Sequence, residues 1–467
     1  LETPNTFLCA LFLKKKLIRL LMKSNCYSRY SFFLLAVFWA MSGCQKDNVP
    51  ALPGAEQQRA DVATQWFDKL YELTKVCPGF TPPVAARAFG YAGVALYESV
   101  VPGMSEYRSL AGKLTGLPEM PAPESGKNYY WPACANAAMA YMAKNLYANM
   151  PADQLVAVEI LENQFAQTFA SEMDAETLAR STAFGREIGE TVFFWSTGDG
   201  GHEGYTRNFP ASYVPPTGPG KWVPTAPAFQ RALQPFWGFN REFVPGSINH
   251  SQPVSPLPYS TVTTSPFYSQ ALEVYAVTTT LTPEQEIIAR FWSDDPGPGG
   301  TPPGHSINIA TQVLVKENAS LALAAETYCK VGLAVSDAFI SCWKCKFDFN
   351  LLRPITYIQD VIDPSWTPIL TTPPFPEYSS GHSVQSGATA QVLSDLFGYQ
   401  YAFTDRTHVS RTDINGAPRQ FSSFFDYAEE AAISRLYGGI HFRDGIDLGV
   451  KQGRKIGESV GALPFKR

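Results

Sequence analysis

The sequence predicts an all-α fold, two bundles of helices joined by long irregular loops, and three observations carry that prediction. Apolar residues recur with helical spacing in one segment after another, so each segment presents one apolar face. Alternating strand patterns are weak throughout. The 37 prolines and 35 glycines gather between the helical segments and do not form a low-complexity tract. At 467 residues, 45% hydrophobic and 17% charged, the chain has enough apolar material for one large core or two smaller ones. A net charge of −5, with no Lys/Arg run in the body of the chain, argues against a general nucleic-acid binder. No internal repeat is visible.

Residues 1–21 are expected to be an upstream, non-native segment, because the first methionine is Met22. From Met22 the chain carries Lys23 and Arg29, an apolar run Phe32–Met41 and small residues before Cys44. This pattern predicts a secretory signal over 22–43. Its ending, MSGC, is similar to a bacterial lipobox, so Cys44 is expected to be lipidated and to hold an exported protein on the cell envelope. Residues 44–58 read as a polar tether. Beyond Cys44 no run of 18 apolar residues occurs, so a lipid at Cys44 is the one membrane attachment expected.

An N-terminal helical region, 59–262, holds helical patterns over about 59–77, 83–101, 127–148, 152–170 and 174–197. The second of these opens on Pro82–Pro83, a favoured helix start. Residues 198–265 are rich in Gly, Pro, Asn and Ser and read as a long irregular connection, a candidate lid. In the C-terminal bundle, 263–467, helical patterns run over about 266–278, 283–293, 306–345, 380–397, 423–438 and 445–460. Five cysteines lie in the body, and Cys342 and Cys345 form a C-x-x-C without further zinc-ligand spacing. A local disulfide or buried thiols are the readings left.

Three C-terminal segments share one chemistry. WKCKFDFNLLRPITY places Lys346 seven residues before Arg353, and Pro354 forces Arg353 out of the α conformation at a helix end. FPEYSSGHSVQSGA places Ser380, Gly381 and His382 where a helix begins, and a helix N-terminus suits an anion. AISRLYGGIHFRDGIDLGV supplies Ser434, Arg435, a Gly438–Gly439 break, His441 and Asp444. Three cations, two imidazoles, a hydroxyl and a helix N-terminus suit a highly charged tetrahedral oxyanion such as phosphate or vanadate. They would repel a metal cation.

In order and spacing, Lys346-x6-Arg353-Pro354, Ser380-Gly381-His382 and Ser434-Arg435-x5-His441 resemble the three-part signature of vanadium-dependent haloperoxidases and type 2 phosphatidic acid phosphatases. The resemblance spans about 343–447, and the upstream helical patterns are compatible with that family's two-bundle fold. It implies that His441 bonds to vanadium, or attacks phosphorus in a phosphatase. Lys346, Arg353, Arg435, Ser380 and Gly381 would neutralise the oxyanion, and His382 would be the general acid–base. Two positions depart from the family pattern. Ser379 stands where the family usually has proline, and Gly445 stands where it tends to place an aspartate. Asp444, one residue early, is taken as the group that orients His441, with Asp447 as the alternative.

Trp343 and Phe375 resemble aromatics of the chloroperoxidase-type site, with core packing as the plain alternative. Asp294 is expected to pair with a site arginine or to end a helix. His305 reads as structural, His202 and His250 as loop residues, and His408 as having no constellation around it. The length of the helical N-terminal half favours a vanadate-dependent haloperoxidase, a peroxidase using vanadate, hydrogen peroxide and halide, with an organic acceptor open. The alternatives are a soluble acid phosphatase of the same superfamily and a non-catalytic surface-binding lipoprotein, the latter suited by the loop aromatics Trp222, Phe236, Trp237 and Phe239.

Overall fold

Proline and short polar side chains set the starts of most helices. A computed structural model describes residues 52–467, so the signal segment, Cys44 and most of the proposed tether lie outside the described residues. The first helices are α1 (Asp61–Val76), α2 (Pro82–Val100), α3 (Trp131–Leu146), α4 (Ala152–Glu172) and α5 (Ala175–Thr197). The remainder are α6 (Ser247–Ser251), α7 (Pro266–Thr279), α8 (Pro283–Phe291), α9 (Pro302–Lys316), α10 (Leu321–Phe349), α11 (Pro354–Val361), α12 (Gly381–Phe397), α13 (Phe424–Tyr437) and α14 (Arg443–Gly461). Pro opens α2, α7, α8, α9 and α11, where its missing N–H costs nothing. Asp174, Ser265, Thr282, Ser320, Ser380 and Ser423 each accept a backbone N–H from the first turn, satisfying a donor that the helix leaves free.

Four expectations are corrected. The pattern over 306–345 is two helices, because the chain turns at Asn318 (φ 48°) and restarts on the Ser320 cap. A short helix, α11, follows Arg353. A two-stranded antiparallel ribbon, β1 (Phe403–Asp405) with β2 (Arg419–Phe421), pairs Phe403 with Phe421. Residues 52–58, expected in the tether, pack on the helices: Ala55 is fully buried and Gln58 O accepts from Leu321 N.

The long helix α10 runs through the centre of the described helices' packing. It packs on α2 on one side and on α12 on the other, and α12 packs in turn on α14. The last contact is close because Gly453 has no side chain: a Cβ there would lie 2.0 Å from Val384 O. That approach brings the start of α12, with His382, beside the start of α14, just past His441. Within the 198–265 connection Trp222 and Trp237 are buried while Phe236 and Phe239 are exposed. Cys77, Cys134, Cys329, Cys342 and Cys345 are all buried free thiols. No helix among the described residues is long and apolar enough to cross a membrane.

Candidate active site

A cavity of about 410 Å³ opens where α10, α12 and the segments flanking α13 meet. Trp343, Phe375, Gly381, His382, Arg435 and His441 all line it. The irregular connection supplies another wall through Phe209, Pro227 and Leu233. The rings of Trp343 and Phe375 meet on the cavity wall, their centroids 5.0 Å apart. Trp343 donates its indole N–H to Leu233 O at 3.2 Å, which ties α10 to the connecting loop.

Behind this wall sit Lys346 and Arg353. Arg353 precedes Pro354 with extended backbone (φ −83°, ψ 158°), so its side chain turns inward, as the sequence predicts. Its Nε donates to Phe375 O at 2.8 Å, and its Nη1 donates to Ile440 O at 2.7 Å and lies 3.1 Å from His441 Nε2. Its Nη2 is buried without a partner. Lys346 is used differently from the expectation. Its three protons go to the carbonyls of Pro376 (3.0 Å), Glu377 (2.9 Å) and Ser379 (2.6 Å), so it pins the loop that precedes Ser380. Burial, with Arg353 nearby, lowers its ammonium to about 8.

Gly381 begins α12, and Ser380 caps that helix by accepting from Ser383 N at 3.4 Å. His382 lies near the Trp292 backbone, and its Nε2 is buried without a partner. Burial and then the charge of Arg435 hold this imidazole well below its ordinary value, so it is neutral. Arg435 donates Nε to Ser434 Oγ at 2.9 Å and Nη2 to Ala289 O at 2.9 Å. The chain leaves α13 through Gly438 and Gly439, and the φ of 74° at Gly439 turns it back so that His441 faces the cavity.

Glu377 orients His441, which corrects the expectation of Asp444. The fully buried Glu377 carboxylate accepts from His441 Nδ1 at 2.7 Å and from Phe442 N at 3.1 Å. Asp444 instead accepts from Leu257 N at 3.4 Å, and Asp447 is exposed, near Arg443. Sequence reasoning missed Glu377, although the glycine at 445 was a signal that the orienting acid had to come from elsewhere.

Asp294 also differs from expectation. It lines the cavity, yet among the described residues its hydrogen bonds go to histidines, not to an arginine. His305 Nδ1 lies 3.0 Å from Asp294 Oδ2, His305 Nε2 lies 2.7 Å from Asp405 Oδ2, and His408 Nε2 lies 2.9 Å from Asp294 Oδ1. His305 is thus a buried structural cation between two carboxylates, and His408 belongs to the same cluster. Of the remaining histidines, His202 is partly buried and His250 exposed.

The donor set fits an oxyanion. Arg353 Nη2 and His382 Nε2 are buried with nothing to bond, the wall carries the cation of Arg435, and His441 lines the cavity with its Nε2 3.1 Å from Arg353 Nη1. The comparisons agree with this chemistry. A family model described as the VCPO second helical-bundle domain matches residues 326–463. The vanadium chloroperoxidase of Curvularia inaequalis is 24% identical over 499 residues, covering 85% of this chain and 80% of the relative. A bacterial vanadium-dependent chloroperoxidase structure, 18% identical with a TM-score of 0.64, shares the fold over 84% of this chain and 93% of its own. The structure of a bacterial vanadium-dependent iodoperoxidase superposes with a TM-score of 0.77 and 37% identity, over 88% of this chain and 97% of that one. At that identity and coverage the chain belongs to the vanadium-dependent haloperoxidases.

Proposed function

We propose that this protein is a vanadate-dependent haloperoxidase that oxidises a halide with hydrogen peroxide, X⁻ + H₂O₂ + H⁺ → HOX + H₂O. The observation that carries the reading is the convergence of His382, Arg435 and His441 on one cavity, with His382 Nε2 left unpaired there and Arg353 held against His441 behind the wall. His441 would hold vanadate through Nε2, and Arg353, Arg435 and the Gly381 N–H would neutralise its oxygens. Bound vanadate supplies Lewis-acid activation of peroxide without changing oxidation state.

The chain's own residues do the rest. Nδ1 of His441 donates to Glu377, which leaves the Nε2 lone pair facing the cavity. His382, neutral and unpartnered at Nε2, takes a proton from incoming peroxide and returns one to the departing oxygen. A bound anion offsets the field of Arg435, which raises the proton affinity of His382 when it is needed. Trp343, Phe339 and Phe375 line the cavity with apolar surface and limit water, which strengthens each charge interaction inside.

The test is to incubate purified protein with orthovanadate, hydrogen peroxide and iodide, bromide or chloride. Iodide is the first to try, given the similar iodoperoxidase. Oxidised halide that vanishes in His441→Ala supports the reading. Hydrolysis of p-nitrophenyl phosphate by vanadium-free protein, without halide oxidation, overturns it in favour of a phosphatase. The pattern over 22–44 supports export and a lipid anchor at Cys44 as a further part of the proposal, tested by radiolabelled palmitate incorporation that Cys44→Ala abolishes.

A further inference from the structure

We infer that Glu377 and Gly445 are one device: the carboxylate that sets the vanadate-binding imidazole comes from the loop before α12, and the missing side chain at 445 is what admits it. This rests on the reading of His441 as the vanadate ligand. A Cβ on residue 445 would lie 2.5 Å from Glu377 Oε1 and 2.9 Å from Oε2, inside contact distance of both oxygens. A side chain at 445 would therefore push this carboxylate out of the place from which it reaches His441.

Glu377 is fixed from both ends. Its backbone N–H donates to Leu351 O at 2.9 Å, and its carbonyl accepts from Lys346 Nζ at 2.9 Å. Its Oε1 accepts at once from the His441 ring and from the next residue's backbone, at 2.7 and 3.1 Å. That double grip fixes the ring's tilt and makes Nδ1 the protonated nitrogen, leaving the Nε2 lone pair for vanadium. Glu377 is thus a positioning residue, since it reaches the cavity only through His441.

The experiment compares the parent full chain with Glu377→Ala, Glu377→Gln, Gly445→Asp and the double variant Glu377→Ala/Gly445→Asp. Two readouts are used: vanadate dissociation constants by equilibrium dialysis, and ¹⁵N imidazole shifts of vanadate-free protein. The chain has six histidines, so histidine-selective labelling resolves His441, identified by its absence in His441→Ala. Glu377→Ala is expected to weaken vanadate binding by roughly 10–100-fold and to release the Nδ1–H tautomer. The double variant should recover binding to within about threefold, while Gly445→Asp alone should be worse than the parent. Should Glu377→Ala not fold, the isosteric Glu377→Gln keeps the shape and is expected to weaken vanadate binding by several-fold. Parental affinity and tautomer in the Glu377 variants overturn the inference, and so does a double variant no better than Glu377→Ala. A parent that binds no vanadate defeats the functional reading instead, and the tautomer of the ligand-free protein still decides on Glu377.

Discussion

His382 and Lys346 show how little a residue's type fixes its task. His382 keeps Nε2 unpaired in a buried site, a costly arrangement unless a ligand completes it. Its replacement by Ala should lower halide turnover by roughly 10²–10⁴-fold while vanadate affinity falls far less, as steady-state kinetics and equilibrium dialysis would show. Equal losses in both would mean that His382 is a ligand and not a proton carrier. Lys346 gives all three of its protons to carbonyls of the 376–379 loop. Lys346→Met should therefore lose roughly 2–4 kcal/mol in urea unfolding even without vanadate, since it strands buried carbonyls. An unchanged unfolding midpoint would assign the lysine to the anion alone. The sequence made His382, His441, Arg353 and Arg435 legible because their spacing and the helix-breaking Pro354 and Gly438–Gly439 say where each side chain turns. Glu377 was not legible, since its contact with His441 crosses 64 residues and depends on a space left at Gly445.

At the scale of elements, the helices were legible from periodicity, and the departures have physical causes. A three-residue strand is too short to show a period of two, so β1 and β2 passed unseen. Yet β1 delivers Asp405 to His305 on α9, which in turn meets Asp294 just past α8. Burial lowers the proton affinity of His305, but the two carboxylates more than offset it and raise the imidazole to about 10 from its ordinary 6.5. A raised folded value means that the native state keeps a proton which the unfolded chain releases. The stability this supplies is complete below pH 6.5 and is lost as pH climbs through about 10. Asp405→Asn removes one carboxylate, so the difference in unfolding free energy between parent and variant should shrink as pH rises from 6.5, by at most about 1.4 kcal/mol per pH unit. Comparing the two proteins cancels the titration of other groups. A pH-independent difference would show that His305 is neutral in the fold.

Across the whole molecule, the chain carries a net charge of −5 yet buries Lys346, Arg353 and Arg435 around one cavity. Burial pushes the proton affinity of all three down, which is the sign of cations held against a desolvation cost, and burial likewise raises the nearby Glu377 carboxyl to about 7. An anion that enters the cavity offsets that cost in the folded state only. Ligand at a hundredfold its dissociation constant adds about 2.7 kcal/mol to stability, enough to raise the melting temperature by a few degrees in a chain of this size. Orthovanadate should do this, and inorganic phosphate should do it more weakly while inhibiting halide oxidation competitively with vanadate. Chloride at matched ionic strength should not, because screening acts little on buried charges. Arg353→Met should abolish the vanadate shift, since it removes the buried cation that touches His441 and carries an unpaired Nη2. A melting temperature indifferent to both oxyanions, or equally raised by chloride, would mean that the three cations serve the fold and that the cavity holds no tetrahedral anion.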